Sequence, residues 1–288
     1  MNIGEKIKEL RASKMMTQKE LAGDVITRNM LSQIENGSAN PSLSTLNYLA
    51  ERLGVPVGYL VSGGEAGEAF YKKSSNYNNI IHAYKSGEWA ICRDLCISCL
   101  SDGEDNELMY MLCTASAELG ILNFEDGQLK MAQALFDEAL EYAPRTVFDT
   151  SGTVYKISCY VNIMYEISPT LSVDVPELPE REAFVFKSDF CRYSEAFFAN
   201  DLPKDESEWE NKSYFYALNA KNLISSEKYD PACSLLTYVC GDEKLPKPVI
   251  YLALSDYEIC CKETEEYKDA YETAQIKLHL FEKMLADI

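Results

Sequence analysis

The residues best equipped for chemistry in this sequence are its cysteines. Cys96-Ile97-Ser98-Cys99 is formally a C-x-x-C, and Cys92 lies one helical turn earlier on the same face. Thiols at that spacing can ligate zinc or exchange disulfides. Zinc needs a second ligand pair at short range, and a redox motif needs a strand-to-helix context. Neither is present, and His82 is the only histidine nearby. No nucleophile stands beside a recognisable base, there is no Gly-rich phosphate loop, and no pair of carboxylates sits in a catalytic setting. The expectation is therefore no catalytic residue, no metal and no cofactor, with the cysteines serving as free thiols in core packing.

Charge is distributed very unevenly. The 288 residues carry a formal net charge of -19, which argues against nucleic-acid contact, because affinity for a polyanion comes largely from Lys and Arg neutralising phosphates. Residues 1–60, however, hold seven basic residues against six acidic ones, a net of +1, which leaves 20 basic and 40 acidic residues in the rest. Only the head can meet a nucleic acid; the body must sense, dimerise or dock a partner. No stretch reaches the ~18 apolar residues of a membrane span, and Met1–Glu9 has no apolar signal region, so a cytoplasmic location and no membrane partner are expected.

The head reads as five short helices. Ile3, Ile7 and Leu10 make a first amphipathic helix ending near Ser13 and Lys14. Thr17 caps a second helix with Glu20 completing a capping box, and Leu21, Ala22 and Val25 form its apolar face. Thr27 caps a third helix, anchored by Leu31 and Ile34 and ended by Gly37. After Asn40-Pro41-Ser42, Leu43, Leu46, Leu49, Ala50 and Leu53 make a fourth helix that Gly54 ends, and Pro56 to Leu60 give a final turn.

Thr17-Gln18-Lys19-Glu20-Leu21-Ala22, Leu31-Ser32-Gln33-Ile34-Glu35-Asn36-Gly37, Pro41-Ser42 and Leu53-Gly54-Val55-Pro56 together resemble the Cro/C1 (XRE) helix-turn-helix family. The turn Val25-Ile26-Thr27 reads as one residue shorter than that family's Leu-Gly-Val-Ser and lacks its glycine. The resemblance implies a λ-repressor-like domain whose third helix enters the major groove. By matching position it implies base reading by Thr27, Arg28, Asn29 and Gln33, with Met30 close enough to touch a thymine methyl. Gln18 and Asn36 become clamps on the phosphate backbone. It also pairs Glu35 with Arg11 as a structural bridge outside the site. The partner implied is double-stranded DNA, a pseudo-palindromic operator read by a homodimer.

Behind the head the sequence repeats. Leu119, Gly120, Gly127, Ala132, Phe136, Ala139 and Pro144 coincide with the tetratricopeptide repeat, a helix pair of ~34 residues. Weaker copies run through Gly87-Glu88-Trp89 before Cys92, Cys96 and Cys99, through Lys228-Tyr229 before Ala232 and Leu236, and through Glu266-Tyr267 before Ala270 and Ala274. A further pair is expected from Thr153 to Asn200 around Pro169, Pro176 and Pro179. The fold class expected is all-α, with a helix-turn-helix domain over 1–62, a flexible or partly helical connector over 63–76, and a solenoid of four to six repeats over 77–288.

That architecture resembles the peptide-pheromone receptors of the PlcR and Rgg kind, which implies a short peptide or small effector bound by the body. Asn162, Asn219 and Asn222 could hold a peptide backbone, and Tyr155, Tyr160, Tyr165 and Tyr214 could form apolar pockets; the same tyrosines serve equally well as repeat packing. The expected function is a sequence-specific transcriptional regulator. The alternative from another class is a protein-interaction module whose repeats dock a partner and whose head is auxiliary.

Overall fold

The computed structural model describes residues 2–61, 65–100, 105–176, 188–199, 203 and 205–286, with side chains of 65–72 left aside. Residues 62–64, at the start of the expected connector, and Pro179 lie outside the described residues. Among the described residues all regular structure is helical. The chain divides into two compact units, Met1–Leu108 and Met109–Ile288.

The first unit opens with α1 (Ile3–Ser13), α2 (Gln18–Ala22), α3 (Arg28–Glu35), α4 (Leu43–Leu53) and α5 (Val57–Val61). Local chemistry sets their ends. Thr17 and Glu20 form the expected capping box, Thr27 accepts from the Met30 N–H at 3.1 Å, and Gly54 closes α4 in the left-handed conformation. Asn2 and Glu5 form a second capping box at the start of α1. Ile7, Leu21, Leu31, Ile34, Leu46, Leu49, Leu53 and Leu60 close one apolar core.

Two details of the sequence reading are corrected. Val25 is 63% exposed, because α2 ends at Ala22 and the half-buried Ile26 takes the inward place. Ahead of the glycine-free turn Val25-Ile26-Thr27, the chain leaves α2 at Gly23, φ +53°, where a Cβ would lie 2.3 Å from the Tyr48 hydroxyl. Leu43 likewise points outward, at the first turn of α4.

The same unit continues into α6 (Glu65–Ser86) and α7 (Trp89–Cys99). The stretch 63–76, read as a flexible or partly helical connector, is therefore helical from Glu65 on. Ile80 and Ala83 of α6 and Cys92, Cys96 and Cys99 of α7 are all buried, so the three cysteines occupy packing positions.

The second unit runs from within α8 (Asn106–Glu125) through α9 (Leu129–Tyr142), α10 (Ser151–Ile167), α11 (Asp189–Ala199), α12 (Lys212–Ser225), α13 (Tyr229–Cys240), α14 (Lys247–Glu263) and α15 (Tyr267–Met284). Repetition shows in the turns. Gly87, Gly127, Glu227 and Glu265 all have φ between 56° and 76°, and each stands two residues before the second helix of a pair. Two of the four are glutamates, which tolerate that conformation less well than glycine, so the turn geometry is imposed by helix packing. Aromatic rings thread the core: Tyr160 stacks on Phe190 at 4.0 Å, and Phe124 meets both edge-on at 5.0 and 5.2 Å.

The repeat signature has a steric basis at Gly120. A Cβ there would stand 2.5 Å from the fully buried Phe136 ring. Gly120→Ala is expected to destabilise this unit by roughly 1–3 kcal/mol, read as a lower thermal midpoint by circular dichroism, because the ring has nowhere to go. An unchanged midpoint would show that the close approach is not required.

Candidate nucleic-acid interface

Helix α3 is two-sided. Leu31, Ile34 and Glu35 face inward, while Asn29, Gln33 and the C-cap Asn36 share the outward arc and Arg28 stands exposed in the first turn. Thr27 is exposed but already employed as the N-cap. Met30, between them, is half-buried and packs against the core. The structure therefore brings Arg28, Asn29, Gln33 and the C-cap Asn36 to the exposed side of one short helix, with the hydroxyl of Thr27 spent on its N-cap.

Beneath that helix lies a charged network that fixes it. The Arg11 guanidinium donates twice to the Glu35 carboxylate, from Nε to Oε1 at 2.6 Å and from Nη2 to Oε2 at 3.0 Å, and also reaches the Met16 carbonyl at 2.9 Å. Such a fork-to-fork pair fixes both position and plane. The bridge implied by the family resemblance is thus present, and it ties α1 to the end of α3. Burial acts to raise the Glu35 carboxyl, but the hydrogen bonds from Arg11 and Gln18 and the Arg11 charge prevail and hold it below the ordinary glutamate range.

Gln18 belongs to the same network, a role the sequence reading missed. Its Nε2 donates to Glu35 Oε2 at 2.8 Å, and its Oε1 lies 3.5 Å from Arg28 Nε, too long for more than a weak bond. One face of the amide is committed inward at the first residue of α2, which leaves the outer face toward Arg28. A glutamine directly after a capping threonine was the only available signal, and its partner is 17 residues away.

The cations of the head divide in two. Lys6 is buried and donates to the Tyr59 carbonyl at 3.1 Å, Arg11 is in the bridge, and Arg52 donates to the Glu20 carbonyl at 2.6 Å. Lys8, Lys14, Lys19 and Arg28 are exposed. The modest basic count read from the sequence thus falls further once the structural cations are set aside.

Residues 7–60 match the helix-turn-helix family model. The head is a helix-turn-helix domain. The chain is 40% identical across 62 residues to the immunity repressor protein of Bacillus phage phi105, covering 21% of this chain and 43% of that protein. It is 39% identical across 66 residues to the HTH-type transcriptional regulator DdrOP3 of Deinococcus deserti, covering 23% and 51%. The match spans about half the length of these curated relatives. Two solved structures align over nearly the whole chain but superpose loosely. Bacillus thuringiensis PlcR in complex with the peptide PapR7 and DNA is 16% identical over 99% of both chains, with a TM-score of 0.27. ComR from S. thermophilus in complex with DNA and its signalling peptide ComS is 16% identical over 97% of this chain and 99% of that one, with a TM-score of 0.24.

The positions read as an effector groove are scattered by environment. Tyr155 and Tyr214 are each 7% exposed and belong to the second unit's core, Tyr155 donating to Glu195 at 2.8 Å and Tyr214 packing on Tyr193 at 5.3 Å. Tyr160 is buried in the aromatic stack. Asn219 spends its side-chain amide on the Phe215 carbonyl of its own helix at 2.9 Å. Asn162, Tyr165 and Asn222 remain at the surface. No helix among the described residues is long and apolar enough to cross a membrane, and no group of His, Cys, Asp and Glu among them could hold a metal ion.

Proposed function

We propose that this chain is a cytoplasmic, sequence-specific DNA-binding transcriptional regulator, not an enzyme. It works as a homodimer on a pseudo-palindromic operator, and its helical-repeat body takes a peptide or small effector that controls DNA binding. The observation that carries the reading is the exposed polar arc of α3, set on a helix-turn-helix scaffold. Thr27, Arg28, Asn29 and Gln33 read base edges, with Arg suited to guanine and Asn or Gln to adenine, while Gln18 and Asn36 hold the backbone. The names of the relatives, a repressor and a transcriptional regulator, point the same way. Asn162, Tyr165 and Asn222 are the surface positions at which an effector would be met.

Salt dependence tests both the contact and its origin. With Lys8, Lys14, Lys19 and Arg28 as the exposed cations of a head once Arg52, held by the Glu20 carbonyl, is set aside, log K against log salt is expected to fall with a slope no steeper than about -3.6 per head, or about -7 for two heads. Fluorescence anisotropy of the full chain with duplex DNA between about 50 and 200 mM salt measures it. A much steeper slope would place the contact outside the heads; no binding at low salt would sink the reading.

A further inference from the structure

Helix α15 packs on α14 by one side. Ala270, Thr273 and Met284 are buried, Lys277 donates to the Glu258 carboxylate of α14, and Phe281 stacks on Tyr251 of α14 at 5.6 Å. The adjoining side carries Tyr267, Tyr271, Ala274 and Leu278, spaced four, three and four residues apart and so within about 60° of the helix circumference. Tyr267, Tyr271 and Leu278 are 65%, 67% and 52% exposed. The outermost helix of a repeat array ordinarily turns a polar side to water, because no further repeat stacks on it. On α15, the outermost of the described helices, that side is an apolar stripe, the mark of an interaction surface.

We propose that a second copy of the chain docks on this stripe, the two α15 helices lying antiparallel about a two-fold axis between Ala274 and Gln275. The inference rests on the reading of the chain as a homodimer and names the surface that pairs it. The stripe is self-complementary in that arrangement. Tyr271 lies opposite Leu278 of the second copy, and the symmetry repeats the contact on the other side of the axis. Antiparallel helices bring like flanks together, and Lys268 and Glu282 stand on one flank of the stripe near its two ends. Lys268 of each copy therefore meets Glu282 of the other. A parallel pair would set that flank against the opposite one, which carries Phe281 and the buried Ala270, and the charge match would be lost. Within its own chain Lys268 meets Glu272 at 3.7 Å, and both side chains are largely exposed, so Lys268 is available to the second copy.

The two tyrosines and the leucine leave roughly 300–400 Å² uncovered per copy. Ala274, Gln275 and the stems of Lys268 and Glu282 extend the patch. Two such patches together come near the ~1,000 Å² total at which specific interfaces begin. The pair is therefore expected to form reversibly, with a dissociation constant in the micromolar range.

The test is sedimentation velocity of the full-length chain without DNA, from about 1 to 100 μM. The wild type is expected to pass from monomer to dimer over that range. Leu278→Lys is expected to raise the dissociation constant more than about tenfold, because each copy loses the partner of Tyr271 and gains an unpaired charge at the contact. Ile276→Lys, at a position 58% exposed but about half a turn away, is expected to leave it unchanged. Lys268→Glu is expected to weaken the dimer and the further change Glu282→Lys to restore it, which a merely destabilised helix would not show. Circular dichroism checks that each variant is folded. A monomer throughout, which would leave the stripe to some other protein, or a dimer that Leu278→Lys leaves intact, would overturn the proposal. Neither outcome involves DNA, so base reading by α3 stands or falls separately.

Discussion

Replacing Arg28 and Asn29 together by alanine is expected to cut the ratio of operator to random-duplex affinity by at least about 30-fold per head. Each bidentate base contact contributes about 1–3 kcal/mol of discrimination, and two contacts at the lower bound give that factor. Thermal stability is expected to stay within about 0.5 kcal/mol, since both side chains are exposed and Arg28 makes only the long 3.5 Å contact to Gln18. Non-specific binding falls far less, because only one phosphate-capable cation is removed. Anisotropy titrations on matched and scrambled duplexes separate these terms. An unchanged affinity ratio would remove α3 from base reading. Thr27 is a poorer place to ask the question, because its hydroxyl caps α3 and alanine there would weaken the helix as well.

The largest expected effect on stability is at Arg11. The Glu35 side chain is 1% exposed, and Arg11→Ala leaves its carboxylate with only the Gln18 amide. Removing one partner of a buried pair costs about 3–5 kcal/mol, a large share of what a sixty-residue domain holds in reserve. DNA binding is expected to fail along with the fold of the head, visible as lost helical signal. The pH dependence identifies the cause. In the wild type the Glu35 carboxyl is held below its unfolded value, so its stabilising contribution is complete above that value and is lost as pH falls through the folded one. Without Arg11, burial raises the same carboxyl, so the contribution changes sign and the variant is least stable near neutral pH. The gap in unfolding free energy between wild type and variant is therefore expected to narrow on acidification from pH 7 to 4, roughly the span between neutrality and the carboxylate range. A gap independent of pH would mean that Arg11 acts through packing alone.

Much of the head was legible because its signals are local. Thr17 with Glu20, Thr27 and Gly54 mark helix ends through hydrogen bonds that span three or four residues. Val25 was misplaced because the apolar spacing continues past the point where the helix stops. What stops it is the left-handed Gly23 beneath Tyr48, a residue 25 positions later whose hydroxyl also donates to the Ala22 carbonyl at 3.0 Å. The inward commitment of Gln18 depends in the same way on the mutual placement of α1, α2 and α3. In the body, the small and aromatic positions of the clearest repeat reappear as the buried Ala132, Phe136 and Ala139. The tyrosines were not legible to that degree. Tyr155 and Tyr214 carry the same ring as the exposed Tyr165, and only helix stacking decides which face turns inward.

The most direct measurement is selection of duplexes from a random library by the purified full-length chain, with the Arg28→Ala, Asn29→Ala variant in parallel. The expected outcome for the wild type is enrichment of an inverted repeat whose half-sites lie about one helical turn apart, the spacing set by two recognition helices related by a two-fold axis. The variant is expected to bind without that enrichment. Recovery of unenriched sequence by the wild type, or of the same motif by both proteins, would contradict the assignment of α3 as the reader of DNA.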